Sequence, residues 1–188
     1  MICDLWFVSN FKITNRKSQI EREMFVQLKP LFVIAAIVAL TPRGADAQVL
    51  MERNISLQLA LSIAQSAMAA CKADGFDVTV AVVDRAGDLK VLLRADTANP
   101  HNADLARRKA YTSRTFKVPS MEVAKRTNGP TDLSGQRFLV DVIPLGGGVP
   151  INIGNETIGA LGISGSPNQE GDEKCANAAL ASVANSLK

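Results

Sequence analysis

The chain has 188 residues, with 21 Lys and Arg against 18 Asp and Glu, one His, three Cys and 47% hydrophobic residues. Its first 47 residues hold six of the basic groups and four of the acidic ones, so residues 48–188 are nearly neutral and lack the cationic surface that general nucleic-acid binding needs. A single histidine and the absence of any Cys cluster exclude a zinc hydrolase centre.

Residues 1–23 show no periodicity and read as an upstream extension, with Met24 as the true start. A basic stretch follows Met24, then an apolar run from Leu31 to Leu40 too short to span a bilayer, then Ala45-Asp-Ala47 as an A-x-A cleavage site. Residues 24–47 therefore read as a secretory signal peptide. Cleavage before Gln48 leaves one domain, residues 48–188, periplasmic or secreted and with no stable membrane insertion. In such an oxidising compartment Cys71 and Cys175 have two readings, a disulfide or two small buried apolar side chains.

Within that domain Ser56 is an N-cap, and Leu57, Leu61, Ala64, Met68 and Cys71 recur at helical spacing until Asp74-Gly75 stops the helix. Val78 to Val83 is a β-branched strand, residues 84–88 a turn, and Leu89 to Leu93 a second strand. After Pro100 a helix runs from Asn102 to Phe116, with Ala103, Ala106, Ala110 and Ser113 as a small stripe and Arg107, Arg108 and Arg114 turned elsewhere. A shorter helix covers Ser120 to Arg126. Arg137 to Leu145 reads as a third strand, residues 146–150 as a tight turn, Ile151 to Gly154 as a fourth strand and Glu156 to Ile163 as a fifth. Asp172 opens a last helix with Ala176, Leu180, Val183, Ala184 and Leu187 on one face. The order α-ββ-αα-βββ-α predicts an α+β domain, a five-stranded antiparallel sheet with helices packed on it.

The chemistry gathers in one segment. Between Arg94 and Arg137 nine basic residues face four acidic ones, an excess that suits a small anionic ligand or an acidic partner but also suits a solvated helix face. At its mouth stands His101, whose imidazole can hold a transition metal or a haem iron and can move protons near neutrality. The glycines are less specific. Gly146-Gly147-Gly148 completes no phosphate-binding motif, and Gly159, Gly162 and Gly165 imply close approach by another backbone or by a flat ligand. No G-x-S-x-G elbow accompanies the serines.

Five motifs in order, AVVDRAG at 81–87, ARRKAYT at 106–112, PLGGGVPI at 144–151, IGALGISG at 158–165 and DEKCA at 172–176, resemble the GlcG/HbpS-like haem-binding proteins. The same family supplies the C-terminal domain of PduO-type proteins. The resemblance implies a profilin-like sandwich, a homo-oligomer, and haem binding or haem degradation, with storage or redox sensing in exported members. It also implies a role in haem binding for the threonine matched here by Thr112. Where many members have Met-Asp-Gly-Ala after the second strand, this chain has Arg94-Ala-Asp96-Thr-Ala, so loop contacts do not carry over. His101 as axial ligand comes from its residue type and position, not from the resemblance.

Together these readings predict a haem site with His101 as metal ligand, Arg107, Arg108 or Lys109 near the propionates, and Thr112 in the pocket wall. A second reading makes the same pocket a small-carboxylate site, in which His101 or Asp84 moves protons. A third makes the chain a non-catalytic oligomeric signalling partner.

Overall fold

Ser56 is extended ahead of α1 (Leu57–Ala73), and its hydroxyl accepts from the Leu59 amide at 3.2 Å, satisfying one donor that a helix start leaves without a partner. The computed structural model describes residues 48–188. The upstream extension and signal peptide expected over 1–47 lie outside the described residues. Gly75 ends the α1 turn at φ +85°, and the Phe76 amide then closes onto the Cys71 carbonyl at 2.9 Å.

The sheet has four strands, β1 (Thr79–Asp84), β2 (Leu89–Arg94), β3 (Gly148–Ile153) and β4 (Glu156–Ser164), in the order β2-β1-β4-β3 and antiparallel throughout. The central strands β1 and β4 are buried almost along their whole length, whereas the edge strand β2 alternates between exposed and covered positions. Helices cover both faces. Ala60, Ile63, Ala64 and Ala67 of α1 join Cys175, Ala176 and Ala179 of α4 (Gln169–Ser182) over Val80, Val82, Leu161 and Ile163. On the other face α2 (Asn102–Phe116) places Ala110 on Val83 and Ala160, with α3 (Ser120–Arg126) beside it.

The third strand expected over Arg137–Leu145 is absent, so the sheet has four strands where five were expected. Ser134–Phe138 is a short 3₁₀ helix, and residues 139–142 form a turn in which the Val142 amide donates to the Leu139 carbonyl at 3.2 Å. Asp141 takes φ +63°, a left-handed conformation no strand contains. The place beside β4 belongs to Gly148-Val149-Pro150, expected as a turn. Proline is tolerated there because β3 is an edge strand and can leave one ladder position without a donor.

Glycine sets how α2 lies on the sheet. Gly148 and Gly162 are direct cross-strand partners, and α2 rests on this bare pair. A Cβ on Gly162 would overlap the Ala106 carbonyl oxygen and stand 2.6 Å from the Ala110 amide nitrogen. One on Gly148 would meet the Lys109 carbonyl carbon at 2.7 Å. The close approach expected at Gly162 is thus made by backbone, and no flat ligand fits between. Both obstacles at Gly162 are main-chain atoms that cannot rotate away, so Gly162→Ala is expected to destabilise the domain by about 3 kcal/mol, the upper end for overpacking. Urea denaturation checks this; an unchanged midpoint would show that α2 is not seated on the backbone.

Cys71 and Cys175 form a disulfide with their Cα atoms 5.4 Å apart, joining α1 to α4 across 104 residues of chain. Of the two readings left open by the sequence, the bonded one holds.

Candidate functional site

His101 stands immediately before α2 with helical backbone angles, makes no side-chain capping bond and is exposed. Its imidazole is free to meet a ligand. The following residue, Asn102, is buried and accepts from the Ser164 hydroxyl at 3.3 Å, which fastens the start of α2 to the end of β4.

The other expected site residues are spent on the protein itself. Nη2 of Arg107 donates to Asp141 at 2.7 Å and to Asp104 at 3.0 Å, and the Asp141 contact, opposed by partial burial, holds the guanidinium more firmly protonated than usual. Arg108 donates to the Val142 carbonyl at 2.9 Å. The buried Thr112 hydroxyl donates to the Arg108 carbonyl at 2.8 Å and accepts the Ile143 amide at 2.8 Å, so both its ordinary bonds are made. These three side chains grip the 139–143 turn from α2 in chain order. The grip presents an apolar corner to solvent, with Phe138 and Val140 each 84% exposed and Leu139 and Leu133 also exposed.

Lys109 points the opposite way. Its ammonium lies 2.7 Å from Asp172 and donates to the Ile163 carbonyl at 3.0 Å, with both charged residues 3% exposed. The partner oxygen Oδ1 of Asp172 accepts the Ser166 amide at 3.0 Å. Thus the structure brings Arg107, Arg108 and Thr112 onto one turn, leaves His101 clear of them, and buries Lys109 under the glycine run. Asp84 is likewise occupied: its carboxylate accepts the Ala86 amide at 2.9 Å and the Asp88 amide at 3.2 Å, closing the β1–β2 turn.

Sequence reasoning missed a groove between α1 and the end of β2. It has a volume of about 720 Å³ and is lined by Met68, Ala69, Lys72, Phe76, Leu93 and Arg94, with residues 95–97 at its rim. Asp77 at one side is held by Lys72 at 2.8 Å and by the Thr97 hydroxyl. The hydrogen bond from Lys72 leads in pulling its carboxyl below the usual range. Arg94 gives Nε at 3.1 Å and Nη2 at 2.7 Å to the Ala98 carbonyl, folding the loop that leads to His101 back toward the groove. The only sequence signal was Met68 on the helical stripe, where it reads as core.

Residues 55–181 match the profile of the haem degrading protein HbpS-like family. Among solved structures, a double mutant of HbpS from Streptomyces reticuli is 32% identical, with a TM-score of 0.69, and the match covers 77% of this chain and 95% of that one. The structure described as a PduOC:heme complex is 27% identical, with a TM-score of 0.64, covering 68% of this chain and 94% of that one. An uncharacterized 15.0 kDa protein from the dhaT-dhaS intergenic region of Citrobacter freundii is 29% identical over 114 residues, 60% of this chain and 80% of that protein.

Proposed function

The chain belongs to the HbpS-like family of haem-degrading proteins, and from that membership we propose that it is an exported haem-binding protein in which His101 ligates the iron. The observation that carries the reading is the shared fold with a protein seen in complex with haem, over most of both chains.

The donor set fits the group in part. His101 offers an exposed imidazole without an internal partner, which is what an axial ligand requires. Arg107 and Arg108 keep their side chains about one-third exposed, 31% and 32%, but their hydrogen bonds are directed at the 139–143 turn. We assign them and Thr112 to holding that turn as a wall, with the exposed third of each guanidinium, which Asp104 also pairs with, as the part that could meet a propionate. Lys109 supports the frame from inside. When bound, haem would supply an iron centre for electron transfer or oxygen chemistry, and storage, degradation or redox sensing are the uses this reading embraces.

Export belongs to the same proposal. The leader pattern over 24–47 supports it, and so does the Cys71–Cys175 bond, of a kind that persists in oxidising compartments. A homo-oligomer belongs to it as well, for which the apolar corner at Phe138, Leu139 and Val140 offers a surface to cover.

Titrating the purified protein with hemin tests the reading. A saturable Soret shift is expected, and it should change position or vanish in His101→Ala. No saturable shift in the parent protein overturns haem binding. A shift identical in His101→Ala removes the imidazole from the iron.

A further inference from the structure

We propose that Glu173 is a proton-operated latch between α3 and α4: as a carboxylate it holds the seam between the two helices loose, and as a neutral acid it lets them close. The proposal is independent of the haem reading and of His101.

The geometry is that of a charge left without its counter-charge. A cavity of about 390 Å³ lies between the two helices, lined by Met121 and Lys125 of α3 and by Glu170, Glu173, Lys174 and Asn177 of α4. Glu173 is half-buried, and its Oε2 is shut off from solvent yet receives no hydrogen bond, although two ammonium groups stand in the same cavity wall. Each is engaged elsewhere. Lys125 donates to Glu122, one turn back on α3, at 2.8 Å, and Lys174 reaches Asp74 at the end of α1 at 2.8 Å. The other charged neighbours give no relief: Glu170 is a second carboxylate of the same wall, and Asp172 is committed to Lys109.

A carboxylate withdrawn from water with no donor keeps its desolvation penalty, and taking up a proton removes it. Burial leads in raising the Glu173 carboxyl above the ordinary carboxylate range; Lys125 opposes the rise, and the charges of Glu122 and Glu170 add to it. Such a group binds its proton more firmly in the folded chain than in the unfolded one, so stability withheld at neutral pH returns as pH falls through its folded value. The seam also has something to move. Ser120, at the start of α3, donates to the Leu145 carbonyl at 2.6 Å and accepts the Gly148 amide at 2.8 Å, while Gln169, at the start of α4, accepts the Gly146 amide at 2.6 Å. The two helices hold the glycine run between them, and closing the seam tightens that hold.

Glu173→Gln keeps the shape of the neutral acid and cannot titrate. At about pH 7.5 it is expected to melt about 2–4 °C above the parent, and the gap is expected to close as pH falls to about 4. A variant no more stable than the parent at neutral pH, or a gap that stays constant with pH, overturns the latch. In protein carrying methyl-labelled methionine, the Met121 resonance reads the seam directly, with Met68, outside the cavity, as the control. In the parent the Met121 signal is expected to shift on acidification toward its position in Glu173→Gln, where it stays fixed. A Met121 signal that does not move in the parent overturns the proposal without recourse to the variant. One that moves equally in both assigns the titration to Glu122 or Glu170 and overturns it for Glu173.

Discussion

Lys109→Met is expected to destabilise the domain by about 3–5 kcal/mol, the range for removing one partner of a buried ion pair. The variant leaves the Asp172 carboxylate in the interior with only the Ser166 amide as donor, and leaves the Ile163 carbonyl without its ammonium. The cost comes from the abandoned charge more than from the lost attraction, so replacing both partners is the informative control. Lys109→Met with Asp172→Leu is expected to recover most of the loss, because a matched apolar pair carries no desolvation penalty. Equilibrium unfolding of the two single variants and the double gives the coupling directly. A single-variant loss below about 1 kcal/mol would mean that the pair is hydrated and Lys109 accessible after all.

Cys175→Ala is expected to cost about 4 kcal/mol. On chain-entropy grounds a closed loop of about 100 residues is worth about 4.7 kcal/mol, and the bond here closes a separation of 104. For a domain of this size the loss corresponds to a fall in Tm of roughly 10–15 °C. Melting the parent with and without a thiol reductant, beside Cys175→Ala under both conditions, checks the origin of the effect. Reduction should lower the parent toward the variant and leave the variant unmoved. A parent that melts at the same temperature in either state would show that α1 and α4 hold together by packing alone.

The helices and the first hairpin were legible because each is a local pattern: Ser56 before an apolar stripe, Pro100 and Pro119 ahead of helix starts, β-branched residues from Val78 to Val83. What failed was non-local. Phe138, Leu139 and Val140 have strand propensity, but the position beside β4 is already taken by residues 148–153. Residues 141–143, just after Val140, are fastened to α2 by Arg107, Arg108 and Thr112 instead of to a ladder. Gly148 looked like a turn residue when its lack of a side chain serves the contact with α2. Lys109 was counted with its basic neighbours because its partner is 63 residues away. His101 was singled out by residue type, and the structure places it exposed at the start of α2. The groove had no signature, since its walls come from α1, β2 and two connecting segments, and no spacing rule links Met68 to Leu93.

The paired glycines under α2 also bear on how the molecule can move. Helices usually slide over a sheet by letting interleaved side chains change rotamer, the small shear steps from which many conformational responses are assembled. Between Gly148, Gly162 and the main chain of residues 106–110 there are no rotamers to change. Helix α2 and the sheet therefore form one rigid plate. Any shift of α2 over the sheet would have to drive backbone against backbone, so the helix and the strands beneath it move together or not at all.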